Sequence, residues 1–312
     1  MVRELSEPSL QLIADGVYAW IGVGGDSNAG AVITASGVVA IDAQQTVALG
    51  RAFRAALEEA VGRPVARLLN THVHLDHTAG NIAFDDVPVL AHEKTVDAMV
   101  QELGPTGDGV WRVTTVPPKL RLLFGANLQE LVAPGSPDET WFLKRIGGPD
   151  YDVITMKQPT ERFADRYTVS LPRGLLHVEY WGPSHCDDHV VTWIDGARIA
   201  FIGDLMFVGR FPWLGDCDID GWIRHLDRIL TMDFVKVVPG HGPVATLHDV
   251  AAFRDLLAAI RDGVAGAIAR GCSEEAAVAE VELPRYAGMP RYREWMPFNV
   301  RAIYRYLKAR RG

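Results

Sequence analysis

Short apolar runs broken by glycine open the chain. Val17–Ile21, Ala29–Thr34 and Val38–Asp42 are separated by Gly24-Gly25 and Ser36-Gly37, and runs of that length bounded by turn residues predict strands. The period then changes. Val47, Leu49, Phe53, Leu57 and Val61 fall on one helical face, so Thr46–Val61 predicts a helix that stops at Gly62-Arg63-Pro64. Val65–Asn70 reads as a buried strand running straight into a polar, histidine-rich segment.

From about residue 97 to 161 the periodicity weakens. Pro105, Pro117, Pro118, Pro134, Pro137, Pro149 and Pro159 punctuate scattered aromatics such as Trp111, Phe124, Trp141, Phe142 and Tyr151, which predicts an insertion of short elements and long loops. Strands resume at Tyr167–Leu171 and Leu175–Trp181. Val190–Ile194 and Ile199–Gly203 form a hairpin across Asp195-Gly196. A helix over Ile219–Thr231, a strand over Val235–Val238 and helices over Val250–Ala269 and Phe298–Arg310 complete the pattern. No repeat of solenoid period and no low-complexity tract interrupts it. Two half-similar β/α units in this order predict an α/β fold, a four-layer αββα sandwich over residues 1–250. The insertion at about 97–161 and a C-terminal helical extension over 251–312 are expected to be added to it.

Composition narrows the class. The chain has 312 residues, 48% hydrophobic and 22% charged, long enough to bury a core without disulfides. The formal charge of −8 argues against nucleic acid as a partner, since phosphate binding calls for a basic face. The cluster Arg291, Arg293, Arg301, Arg305, Lys308, Arg310 and Arg311 reads as a solvated helix face. Three cysteines, Cys186, Cys217 and Cys272, do not make a disulfide framework and point to a reducing compartment. The N-terminus lacks an apolar signal region and the chain lacks a membrane-length apolar run, so the cytoplasm is expected and no membrane partner.

The chemistry is concentrated at strand ends. His72-Val73-His74-Leu75-Asp76-His77 supplies three imidazoles and a carboxylate directly after a buried strand, the ligand types that zinc and similar divalent ions take. On an extended strand end His72 and His74 point the same way, while Asp76 and His77, in a turn, are aimed at a second point. A lone H-x-H is usually an ordinary surface or core pair; H-x-H-x-D-H after a strand is far more specific. Gly182-Pro183-Ser184-His185, Phe201-Ile202-Gly203-Asp204 and Val237-Val238-Pro239-Gly240-His241-Gly242 each place a further ligand type just past an apolar strand. Glycine at such places lets backbone approach a crowded centre. No G-x-S-x-G elbow, Walker A loop or dinucleotide-binding glycine pattern is present, and Gly22-Val23-Gly24-Gly25 is only a glycine-rich turn.

With these motifs, the chain resembles the metallo-β-lactamase superfamily over about Asp15 to Asp249. The resemblance implies that His72, His74 and His185 hold one metal and Asp76, His77 and His241 another. Asp204 would bridge them, as in the glyoxalase II-like and lactonase-like branches. Asp42 matches an acidic position that supports the ligand loop, a role suited to orienting metal-bound imidazoles. β-Lactamases proper usually lack the bridging Asp, so Asp204 moves the expectation away from antibiotic hydrolysis. Cys186 stands where Thr is common and reads as a packed thiol.

The implied cofactor is two divalent ions, zinc expected, with iron or manganese as alternatives. The implied activity is a dinuclear metallohydrolase in which a shared, acidified water attacks the carbonyl of a small ester, lactone, thioester or amide, with Asp76 and Asp204 at the catalytic centre. Competing readings on the same fold are an iron-dependent, persulfide dioxygenase-like oxidoreductase and a phosphodiesterase. The insertion aromatics and Phe207, Phe211 and Trp213 suggest a roof over an apolar small-molecule pocket, or in the insertion's case a dimer contact. Oligomeric state stays open, homodimer included.

Overall fold

The computed structural model describes residues 7–23, 26–103, 109–112, 146–215 and 217–310, together with 115, 134, 135 and 143. One sheet runs in spatial order β1 (Ser9–Ala14), β2 (Val17–Ile21), β3 (Ala29–Thr34), β4 (Gly37–Ile41), β5 (Val65–Leu69), β6 (Val89–His92) and β9 (Glu161–Phe163). It is antiparallel as far as β4 and parallel from there on. The second sheet is β10 (Arg166–Ser170), β11 (Leu175–Tyr180), β12 (Val190–Ile194), β13 (Ile199–Phe207) and β14 (Lys236–His241). Only its last pair is parallel. A separate two-stranded ribbon joins β7 (Gly109–Arg112) to β8 (Val153–Met156).

The parallel pairs require crossovers, and helices supply them. α1 (Val47–Val61) links β4 to β5, and α4 (Ile219–Leu230) links β13 to β14; α2 (Leu75–Thr78) and α3 (Glu93–Leu103) lie between them in the chain. α5 (Leu247–Ala269), α6 (Glu274–Glu280) and α7 (Tyr292–Ala309) follow the last strand. Strand β4 shows why the layers form. Its alternate residues Val39 and Ile41 face the other sheet, meeting Phe201, Val190 and Val238 in one cluster, whereas Val38 and Ala40 face Phe53 and Leu57 of α1. A strand covered on both faces reads as a continuous apolar run rather than an alternation. A third cluster joins the outer face of the second sheet (Val191, Trp193, Ala200, Ile202) to Trp222 and Leu226 of α4, Leu257 of α5 and Trp295 and Ile303 of α7. Helix, sheet, sheet, helix is therefore the layer order, as the sequence predicts.

Several boundaries differ from expectation. α3 runs across the start of the expected insertion, and β9 at its far edge pairs in the main sheet with β6, which precedes it. β13 continues past Gly203 to Phe207 through a register shift. α7 begins at Tyr292 and carries Pro297 inside it, because Tyr292, Trp295 and Met296 before the proline are buried against the second sheet's helices and packing outweighs the lost backbone bond. The expected solvated basic face is only partly one: Arg291 is buried, Arg305 pairs with Glu274 and Arg310 with Asp218, while Arg311 lies outside the described residues. Among the described residues, no helix is long and apolar enough to cross a membrane.

Candidate metal centre

Loops at one edge of the two sheets bring the strand-end residues together. His72 and His74 follow β5; Asp76 and His77 sit in the single turn of α2; His185 precedes β12; Asp204 lies within β13 and His241 ends β14. One ligand atom from each of His72, His74, His185 and Asp204 lies within 4.8 Å of the others, and so does one from each of Asp76, His77, Asp204 and His241. All seven sequence candidates fall in these two groups, and Asp204 is in both.

Within the first group His185 Nε2 is 3.0 Å from His74 Nδ1 and 3.4 Å from Asp204 Oδ2. In the second, Asp204 Oδ1 is 3.1 Å from His77 Nε2 and 3.4 Å from His241 Nε2, which is itself 3.1 Å from Asp76 Oδ2. The two oxygens of one buried carboxylate thus face one group each. Gly240 makes this approach possible: a Cβ there would overlap the Asp204 carboxylate.

The outer contacts decide which nitrogens face inward. Asp42 accepts from the Thr71 amide at 2.8 Å and the Thr71 hydroxyl at 2.8 Å. With its proton so committed, Thr71 Oγ1 accepts from His72 Nδ1 at 3.0 Å. His77 Nδ1 donates to Asp42 Oδ2 at 2.9 Å, and His241 Nδ1 donates to the Asp26 carbonyl at 3.1 Å. Each of these rings therefore turns a lone pair on Nε2 toward the centre. His72 Nε2 is buried with no hydrogen-bond partner. Where such Nε2 lone pairs converge on carboxylate oxygens they repel unless a cation sits between, so the ligand set fits divalent ions.

The electrostatics of the metal-free cluster divide the rings: some are held neutral, whereas His77 is held protonated until a cation takes the proton's place. Burial pushes His72 well below its ordinary pKa, and pushes His185 down to about 3. Burial works against charge on His77 too, but the carboxylates of Asp204, Asp76 and Asp42 outweigh it and hold that ring's pKa well above the usual value. Burial would raise Asp204, yet His241 and His77 keep it well below the carboxylate range. Asp76, with 38% of its side chain exposed, is the open side of the cluster.

Sequence reasoning placed Asp42 correctly beside the ligand loop, but several partners carried no signal. Asn28 donates through Nδ2 to the carbonyls of Pro239 at 2.9 Å and Gly242 at 2.7 Å, tying the β2–β3 loop to the His241 loop. Ser27 donates to the Asp76 carbonyl, and Gln45 receives the Ser27 amide at 3.1 Å. His189 stacks on His72. Phe207 lies parallel to His241, centroids 5.3 Å apart, with the Arg210 guanidinium 5.0 Å from its own ring centre and 5.3 Å from that of Trp295. These residues are interior packing rather than a roof: Phe211 is fully buried against Tyr292, and Trp213 packs on Trp295 and Phe298. Asn299 of α7 holds the same loop through Leu214 N at 3.0 Å and Pro212 O at 2.8 Å. Cys186 is a buried thiol, pushed up by burial, and belongs to neither group. Phe124, Trp141 and Phe142 lie outside the described residues, as does the side chain of Trp111.

An αββα sandwich with two histidine–aspartate groups sharing one carboxylate at its loop edge defines a metal-binding enzyme class. The chain belongs to the metallo-beta-lactamase superfamily, whose family model matches residues 22–241. It is similar to the 2,4-dinitroanisole O-demethylase subunit alpha of Nocardioides sp. (strain JS1661), 24% identical over 73% of this chain and 54% of that one. It is also similar to the linear primary-alkylsulfatase of Pseudomonas sp. (strain ATCC 19151), 25% identical over 86% and 53%. The acyl-coenzyme A thioesterase MBLAC2 of Homo sapiens is 26% identical over 60% of each chain. The chain thus spans about half the length of the first two of these relatives. Among solved structures, a metallo-beta-lactamase from Pontibacter korlensis superposes with a TM-score of 0.59 at 20% identity, covering 81% of this chain and 99% of that one, a likeness of fold.

Proposed function

We propose that the protein is a dinuclear metallohydrolase that cleaves a small ester, lactone, thioester or amide, in the bridging-Asp branch that includes glyoxalase II-like and lactonase-like enzymes. The observation that carries this reading is the Asp204 carboxylate, one oxygen facing each group of acceptors. A single-iron oxidoreductase would need only three of the seven ligands, and the net charge of −8 disfavours a polyanionic phosphodiester. The thioesterase relative acts on an acyl thioester, which supports a carbonyl substrate; the alkylsulfatase relative makes a sulfate ester the natural comparison.

Two divalent cations, zinc by the ligand chemistry, would be held by His72, His74 and His185 and by Asp76, His77 and His241, and would supply an acidified water and a Lewis acid for the carbonyl oxygen. The protein's own work is orientation. Asp42 and Thr71 fix the His72 and His77 rings, Asp26 fixes His241, and Asp204 spans the two groups. Asp76, with 38% of its side chain exposed, is the more open of the two ligand carboxylates and would orient the attacking water. Rates on a lactone, an acyl thioester, a β-lactam, an alkyl sulfate and a phosphodiester, with zinc restored after chelation, test the reading. Zinc-dependent turnover of lactone or thioester is expected; turnover of the phosphodiester alone contradicts it.

A further inference from the structure

His189 stands just before β12, and its side chain is buried behind the first ligand group. Its ring stacks on that of His72, with centroids 4.8 Å apart and planes at 30°, and meets His185 edge-on at 6.2 Å. The spacing is set by backbone: Val190 N donates to the Thr71 carbonyl at 2.9 Å, clamping the residue after His189 to the residue before His72. On another side, Gly203 leaves the room the ring needs. A Cβ there would come 2.7 Å from His189 Nε2 and 3.1 Å from Thr71 Oγ1, and the Gly203 backbone is left-handed at φ 48°.

Neither His189 nitrogen has a hydrogen-bond partner. Buried polar atoms are ordinarily satisfied, so hydrogen bonding does not explain this side chain. What it presents to the cluster is a flat, polarisable face. His72 has one degree of freedom that its hydrogen bond leaves open. Thr71 Oγ1 holds its Nδ1 in the plane of the ring, whereas tilt out of that plane is restrained by the neighbouring rings. Of these, His77 at 4.5 Å and His74 at 4.7 Å meet it tilted or edge-on, and His189 alone among the described residues stacks on its face. Tilt moves Nε2, the atom that must meet His74, His185 and Asp204. A ring face against an imidazole made electron-poor by a cation is also an attractive contact.

We propose that His189 is a positioning residue for the first cation site, holding the His72 ring by stacking at the tilt that site requires. The inference rests on the two-cation reading above. It predicts an asymmetry, because His189 touches His72 and His185 but no member unique to the second group.

The test is zinc(II) binding to the stripped protein in competition with a chromophoric chelator, for the wild type, His189→Ala, His189→Phe and His189→Asn. His185→Ala identifies which equivalent belongs to the first group. The wild type should bind two equivalents; if it does not, the two-cation reading fails and not this one. His189→Ala and His189→Asn should weaken the first-group equivalent on the order of 10–100-fold, the usual effect of removing support behind a ligand, and leave the other within about threefold. His189→Phe, which keeps a ring and no nitrogen, should restore it. Wild-type binding in His189→Ala, equal loss of both equivalents, or Phe no better than Ala would overturn the proposal. Should His189→Ala fail to fold by circular dichroism, Phe against Asn decides in the same way.

Discussion

The Asp42 carboxylate lies 2.9 Å from His77 Nδ1 and is held there by a backbone in the left-handed region, φ 61°. Such a conformation costs roughly 1–3 kcal/mol for a residue other than glycine and persists only where its surroundings impose it. Here the Asp42 amide donates to Leu69 O at 2.8 Å, and the side chain accepts from Thr71 twice. One strand-end aspartate thereby fixes two rings, His77 directly and His72 through Thr71. Asp42→Asn keeps the size but turns an NH2 toward a donor. We expect zinc affinity to fall by about 10–100-fold with little change in the fold, read by chelator competition and circular dichroism.

Gly240 allows Asp204 to reach both groups. Gly240→Ala puts a methyl into the carboxylate's space, so Asp204 must move away from one group or both. The expected result is a folded protein with less than one equivalent of bound zinc, measured by elemental analysis; full metal content would show that the loop yields.

Asn28 connects loops from the two sheets. Asn28→Ala removes two bonds to backbone carbonyls and one from the Gly22 amide, at about 1 kcal/mol each. Unfolding in urea should show a loss of about 2–3 kcal/mol, and the His241 loop should become more accessible to hydrogen exchange.

The metal-stripped protein should be sensitive to acid. Burial depresses the folded-state pKa of His72, His185 and His189, that of His185 to about 3. For these groups the unfolded chain takes up protons as pH falls through about 6.5 and the folded chain does not, so stability present above that pH is lost below it. His77, raised by its carboxylates over the opposing effect of burial, works the other way: its contribution is complete below about 6.5 and fades as pH rises through the folded value. Below about 6.5 His77 no longer opposes the other three, so the loss on acidification reaches up to roughly 4 kcal/mol per pH unit. Urea unfolding of the chelated protein between pH 7 and 5 checks the sign; greater stability at pH 5 would contradict the assignment.

What was legible in the sequence followed periodicity and spacing. Thr46–Val61 showed its helix because one face is apolar at helical period, and His72–His77 showed its chemistry because four ligand residues crowd one strand end. Val89–His92 is short and buried on every residue, so no alternation marks it. α7 was read from Phe298 because Pro297 resembles a boundary, and only burial of the preceding turn shows otherwise. Asn28, Thr71 and His189 act across the sandwich on residues far away in sequence or through a ring face, and neither leaves a spacing to read. His189 had one faint mark, a second imidazole just before an apolar strand in Ser184–Val190.

In the proposed function one carboxylate, Asp204, serves two cation sites. Metal content by elemental analysis of the wild type, Asp204→Ala and His185→Ala, each loaded with zinc and desalted, tests it most directly. The expected result is about two equivalents for the wild type, loss of both for Asp204→Ala, and loss of the first-group equivalent alone for His185→Ala. Equal losses in the two variants, or a wild type that holds a single ion, would contradict it.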